Sequence, residues 1–128
     1  MTIDKEFLKN QLKKHPELKE LRTKLLSFGG KEIVPRNEPD LEKILGRGQI
    51  MKMEVIEKKM YDRDCHTNVT ILCVFEGRQI ATGWALSDDG LWRQHSWCVN
   101  GDIIIETTQK REMYFGFVLS PSEAENFS

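Results

Sequence analysis

After Gly77 the hydrophobic period changes from the helical spacing of about 3.6 residues to two, and it stays there through residue 119. A chain with that switch must bury one face of a sheet in its C-terminal half. The alternating runs cover residues 79–86, 91–99, 102–108 and 112–119. Ser87-Asp88-Asp89-Gly90 joins the first two as a four-residue turn. Asn100-Gly101 joins the next two, and Asn-Gly is the strongest short hairpin signal. The expectation is an antiparallel β meander.

Ahead of the switch the pattern is helical. Phe7, Leu8, Leu12, Leu18, Leu21, Leu25 and Leu26 recur at helical spacing over residues 4–28. Pro16 suits a first helical turn, which places a break near His15. Gly29-Gly30 ends the pattern. Pro35 to Pro39 reads as a linker, and Asp40 caps a short helix through Leu45 that Gly46 stops. Residues 50–60 fit strand or helix equally; Met51, Met53 and Val55 alternate and read as core filler. From Cys65 to about Phe75 the pattern is helical again, with Val69, Leu72 and Cys73 on one face and Asp62 and Asp64 where a cap belongs. Ser120-Pro121-Ser122-Glu123 has the form of a capping box. Helices first and strands after is an α+β arrangement.

At 128 residues the expectation is a single domain, 1–128, with a mainly helical part at 1–60 and a helix-plus-sheet core at 61–119. A formal charge of −1 gives no global pull toward nucleic acid or an anionic membrane. Lysines on the first helix are interleaved with Glu6, Glu17 and Glu20, as on a solvated face. Nucleic-acid recognition would need a basic patch with interleaved aromatics. No apolar run reaches the roughly 20 residues that span a bilayer. Three cysteines without framework spacing, and a start lacking a signal-peptide apolar region, give the expectation of a cytoplasmic chain with free thiols.

The turn then selects chemistry. With Asn100-Gly101 as a two-residue loop, Val99 opposes Asp102, and counting outward His95 opposes Glu106. Opposed residues share a face, with Cβ atoms ~4.5–5.5 Å apart. A carboxylate there accepts a hydrogen bond from one imidazole nitrogen, fixing the tautomer and favouring the protonated ring. The four-residue turn sets Trp84 opposite Arg93 and Thr82 opposite His95, so Trp84, Arg93 and Trp97 share the His95 face and are candidate substrate-binding residues. Cys65, at a helix start, sits where amides and dipole favour a thiolate. Catalytic candidates are therefore Cys65 as nucleophile, His95 as base and Glu106 as the group that orients it. The Cys65 amide is a first oxyanion donor; Gln79, Gln94 and Tyr61 are candidates for a second. Cys73 and Cys98 read as core, and alternation points Cys98 away from His95. His66 reads as a surface or capping residue. Without Cys-x-x-Cys or His-x-x-x-His spacing, no metal is expected, and no organic cofactor is implied.

The run His95-Ser96-Trp97, then Gly101, then Ile105-Glu106-Thr107-Thr108, resembles the transglutaminase-like pattern. Asp64-Cys65 leading into an apolar helix is similar to the nucleophile helix of papain-like cell-wall peptidases. The resemblance covers about residues 61–119 and implies a papain-like fold with the histidine as base. The chain departs from the pattern in having Glu106 where Asp is commoner, and His66-Thr67-Asn68 where small residues stand in the peptidases. The expected function is a cysteine hydrolase or acyltransferase acting on an amide or thioester of a peptide or protein substrate. The alternative is a catalytically silent papain-like domain that binds a protein or peptide. The sequence sets no oligomeric state.

Overall fold

The computed structural model describes residues 5–60 and 65–127, apart from the side chains of 73–75. Helix α1 (Lys5–Lys14) stops at His15, and Pro16 opens a single 3₁₀ turn (Pro16–Leu18) that leads into α2 (Lys19–Phe28). Leu18, Leu21 and Leu25 recur on one side and are fully buried. α3 (Leu41–Arg47) has Asp40 at its N-cap, but the Asp40 side chain makes no capping bond. Gly46 lies inside this helix, which ends at Gly48, so the expected stop at Gly46 is corrected. α4 (Cys65–Glu76) closes at Gly77 with φ +64°. The capping box forms: Ser120 and Glu123 satisfy each other's amides at the start of α5 (Pro121–Glu125).

Among the described residues, seven strands make one mixed sheet: β1 (Glu32–Ile33), β2 (Gln49–Ile50), β3 (Glu54–Glu57), β4 (Gln79–Leu86), β5 (Leu91–Asn100), β6 (Ile103–Glu106) and β7 (Met113–Val118). The order is β2-β7-β4-β5-β6-β3, with β1 parallel to the start of β5. The meander holds for β4, β5 and β6, but β7 returns to pair with β4 rather than β6, and β3 joins β6 in parallel. The pure meander is thereby corrected.

The sheet must curl. Six strands at about 4.8 Å spacing would hold β2 and β3 about 24 Å apart if flat. The chain from Ile50 to Glu54 spans at most about 14 Å. Residues 51–53 are thus a short strap between the two edges, and they pack over one face of the sheet. That strap face carries Ala81, Ala85, Trp97, Val99, Ile104 and Tyr114, with Met51, Met53 and Val55 against them. The Trp97 indole N–H points to the Met51 sulfur at 3.4 Å. Gly116 makes room for this indole: a Cβ there would lie 2.9 Å from the Trp97 ring. The other face carries Ile80, Trp84, Leu86, Trp92, Cys98, Phe115 and Phe117, and the helices cover it through Leu18, Leu21, Leu25, Ile44, Val69 and Leu72.

Both hairpin registers differ from those expected, with opposite consequences. At the first turn, the Ser87 amide donates to Leu91 and the Gly90 amide to Ser87. The loop is therefore three residues, Asp88-Asp89-Gly90, with Gly90 at φ +85°. Leu86 faces Trp92, Trp84 faces Gln94 and Gly83 faces His95. A one-residue slip exchanges the faces of a strand. At the second turn Asn100 pairs with Ile103, leaving Gly101-Asp102 as the loop, and Cys98 pairs with Ile105. That slip is two residues, which preserves faces. Continued outward, it sets Glu106 one diagonal step from His95.

Candidate active site

His95 and Glu106 lie on the strap face, 2 % and 0 % exposed. The diagonal separation is within reach of a histidine and a glutamate. His95 Nε2 lies 2.8 Å from Glu106 Oε1 and 3.0 Å from Oε2. This engagement leaves Nδ1 for the thiol. Cys65, half-buried at the first residue of α4, is hydrogen-bonded to His95 and receives the Ser96 amide. The β5–β6 pairing ends at Cys98 and Ile105, so that side of β5 is open at Ser96 and the start of α4 fits there.

The electrostatics follow from burial set against partners. Burial pushes the Cys65 thiol up, but the His95 hydrogen bond and charge, with the Ser96 amide, outweigh it, and the net direction is down. Burial pushes His95 down, but hydrogen bonds to Cys65 and Glu106 outweigh it, and the ring is held above its ordinary value. Burial likewise pushes Glu106 up; His95 and the donors at the carboxylate bring it below the usual range. All three directions favour a thiolate–imidazolium pair beside an ionised carboxylate.

Glu106 accepts further bonds. Tyr114 Oη donates to Oε1 at 2.8 Å, while the Thr108 amide and hydroxyl both donate to Oε2 at 3.0 Å. The His95 ring lies beside both Trp97 (centroids 6.0 Å) and Tyr114 (6.3 Å), which pack edge-on against each other at 5.0 Å. On the helix side His66 Nδ1 and Ser96 Oγ are 2.7 Å apart, and Ser96 Oγ lies 3.0 Å from Thr82 Oγ1. His66 thereby ties the first turn of α4 to β5, and Phe127 packs edge-on against its ring at 5.1 Å.

The structure brings Cys65, His95 and Glu106 together and places Trp97 beside them. Trp84 is corrected: the one-residue slip puts it on the helix face, where its indole donates to Glu38 Oε1 at 3.0 Å. Arg93 keeps the His95 side of the strand but is held by Asp89 at 2.8 Å. Gln94 is committed to the Asn37 carbonyl and Glu38, both at 3.0 Å, and Gln79 is an exposed strand end opposite Val99. These contacts tie Gln94 elsewhere and place Gln79 away from His95. Tyr61, Asp62 and Asp64, with the Cys73 side chain, lie outside the described residues. Cys98 is buried on the helix face, away from His95. Among the described residues no group of three or more His, Cys, Asp and Glu is placed to hold a metal ion. No helix there is long and apolar enough to cross a membrane.

Sequence reasoning did not single out Tyr114, the Ser96 amide or the anchoring role of His66. Tyr114 reaches Glu106 only because β7 returns to β4, and no local pattern announces that pairing. Comparison with family models, curated proteins and solved structures finds no match.

Proposed function

We propose that this chain is a cysteine-dependent hydrolase or acyltransferase of papain-like or transglutaminase-like character, acting on an amide or thioester. One observation carries the reading: a single imidazole is hydrogen-bonded to a thiol on one side and, through Nε2, to a buried carboxylate at 2.8 Å on the other. The Cys65 thiolate attacks the carbonyl carbon, and the Cys65 amide serves as a donor to the developing oxyanion. The His95 imidazolium gives its proton to the leaving amine or thiol as the tetrahedral intermediate collapses to a thioester. His95 then takes a proton from water or an acceptor amine, which attacks the thioester and restores the thiol. Glu106 holds the ring orientation throughout. No metal or organic cofactor enters these steps.

The test is covalent capture. An acylating probe should label Cys65 near pH 7, and labelling should fall with Cys65→Ala and with His95→Ala while circular dichroism shows a retained fold. Activated ester and glutamine-amide substrates supply the turnover assay. Turnover at the wild-type rate in Cys65→Ala would end the nucleophile proposal. A thiol that no probe labels would favour the silent binding domain.

A further inference from the structure

We propose that Tyr114 and Thr108, linked through Arg111, are positioning residues that keep the Glu106 carboxylate ionised and aimed at His95. The inference rests on the thiolate–imidazolium reading of the site.

Glu106 is fully buried, and a carboxylate without water favours its neutral form. Each of its oxygens has its own hydroxyl donor. Tyr114 gives Oε1 a hydroxyl proton at 2.8 Å, and Thr108 gives Oε2 both its amide and its hydroxyl at 3.0 Å. Each donor stabilises the charged form and fixes the plane of the carboxylate. The phenol is a dependable donor, because burial, the first cause, and the Glu106 charge both hold it protonated.

Both arms return to one residue. The Arg111 amide donates to Tyr114 Oη at 3.2 Å, and Arg111 Nη2 donates to Thr108 Oγ1 at 3.4 Å. Arg111 is itself fixed by the Gln109 carbonyl at 2.8 Å and Ser87 Oγ at 3.2 Å. The segment between β6 and β7 is therefore folded around the carboxylate, and it delivers donors without placing a guanidinium on it. A cation bound directly to Glu106 would compete with His95 for the negative charge. Hydroxyls at the remaining lone-pair positions keep the charge in place and leave His95 as its cationic partner.

The other titratable groups around Glu106 are His95 from β5, Cys65 from α4, Glu57 from β3, and Lys58 just after it. Glu57 pairs with Glu106 along the backbone but carries an exposed side chain, and Lys58 turns to Glu76 at 2.7 Å. Neither supplies what Tyr114 and Thr108 supply.

The experiment follows iodoacetamide labelling of Cys65 against pH in wild type, Tyr114→Phe, Thr108→Val and Thr108→Ser, with the Cys65 peptide read by mass spectrometry. Wild type should label with an apparent pKa below about 8.5. Removing one donor from the carboxylate should move the acid limb upward by about one pH unit in Tyr114→Phe and in Thr108→Val. Thr108→Ser, which keeps the hydroxyl, should track wild type. Phe at 114 retains the ring against Trp97 and His95, and if it nevertheless fails to fold, the Thr108 pair decides. A wild-type limb at or above the free-thiol value would overturn the thiolate reading of the site itself. A low wild-type limb that neither Tyr114→Phe nor Thr108→Val moves would overturn the positioning role alone. A shift in Thr108→Ser equal to that in Thr108→Val would also overturn it, because lost packing would then explain the change.

Discussion

Two glutamates are buried on opposite faces of the same sheet, and their environments push them in opposite directions. Glu38, 8 % exposed, accepts from Trp84 Nε1 and Gln94 Nε2 at 3.0 Å and from the Asp40 amide at 3.1 Å. Glu106, 0 % exposed, accepts from Tyr114, Thr108 and His95 at 2.8–3.0 Å. Burial raises Glu38, and its hydrogen bonds do not reverse that. Burial pushes Glu106 up as well, yet the net direction is down. Each carboxylate has three neutral donors, and the fourth donor at Glu106 is the His95 ring, so neutral donors do not separate the two sites. The difference is the imidazolium: neutral donors moderate the cost of a buried carboxylate, and an adjacent cation inverts it. The first carboxylate ties a linker to the sheet, and the second sets the state of a thiol.

Glu106→Gln should break this comparison most strongly, because it removes the charge and leaves the shape. If the thiol returns to about 8.5, its thiolate fraction at pH 6.5 falls to about one per cent, and Cys65 alkylation slows up to about a hundredfold. Folding stability should fall by about 2–4 kcal/mol, since a buried pair loses one partner; urea titration at pH 6 measures it. Alkylation at the wild-type rate would show that the carboxylate does not control the thiol.

Trp84→Phe comes next and acts on the helix face alone. Loss of indole volume and of one donor to Glu38 should cost about 2 kcal/mol. Cys65 alkylation should stay within about twofold, because the sheet lies between the two sites. A tenfold change would mean that Trp84 borders the reactive face after all.

Glu38→Gln should have the smallest effect, within about 1 kcal/mol at pH 7, but a diagnostic pH dependence. Glu38 sits above its ordinary 4.5, so the stability it contributes is fully present below 4.5 and is lost as pH rises through its raised value. Glu106 runs the other way: its contribution is present above 4.5 and is lost as pH falls through its lowered value. Gln at 38 does not titrate, so the variant should gain on wild type as pH rises from 4 toward 7. A difference independent of pH would remove the contrast drawn between the two glutamates.

Hydrophobic periodicity carried most of the helices and the four long strands, because each follows from local alternation. Faces were readable where turn chemistry erred by an even number. The two-residue slip at Gly101-Asp102 left His95 and Glu106 together, whereas the single extra residue in the Asp88-Asp89-Gly90 loop sent Trp84 across the sheet. The two-residue strands β1 and β2, and the parallel pairing of β3, had no signature, because a few residues become strand only when distant partners arrive. Glu38 sat in a segment read as a linker, and nothing near it in sequence foretold Trp84 and Gln94 as its partners.

The short strap also has a consequence for synthesis. Gln49 pairs with Gly116 and Glu54 with Ile103, while only residues 51–53 separate the two strands. A ribosome delivers the whole N-terminal half before either partner exists. The first helices can form as they emerge, but β1, β2 and β3 must wait until most of the sheet has been made. Arrest of translation before residue 91 would leave those three segments without their strands, and with them Met51, Met53 and Val55 without the face they cover. The chain reaches its reactive arrangement late in synthesis, after β5 and β6 have supplied the histidine and the carboxylate, so truncated products would carry Cys65 without the partners that activate it.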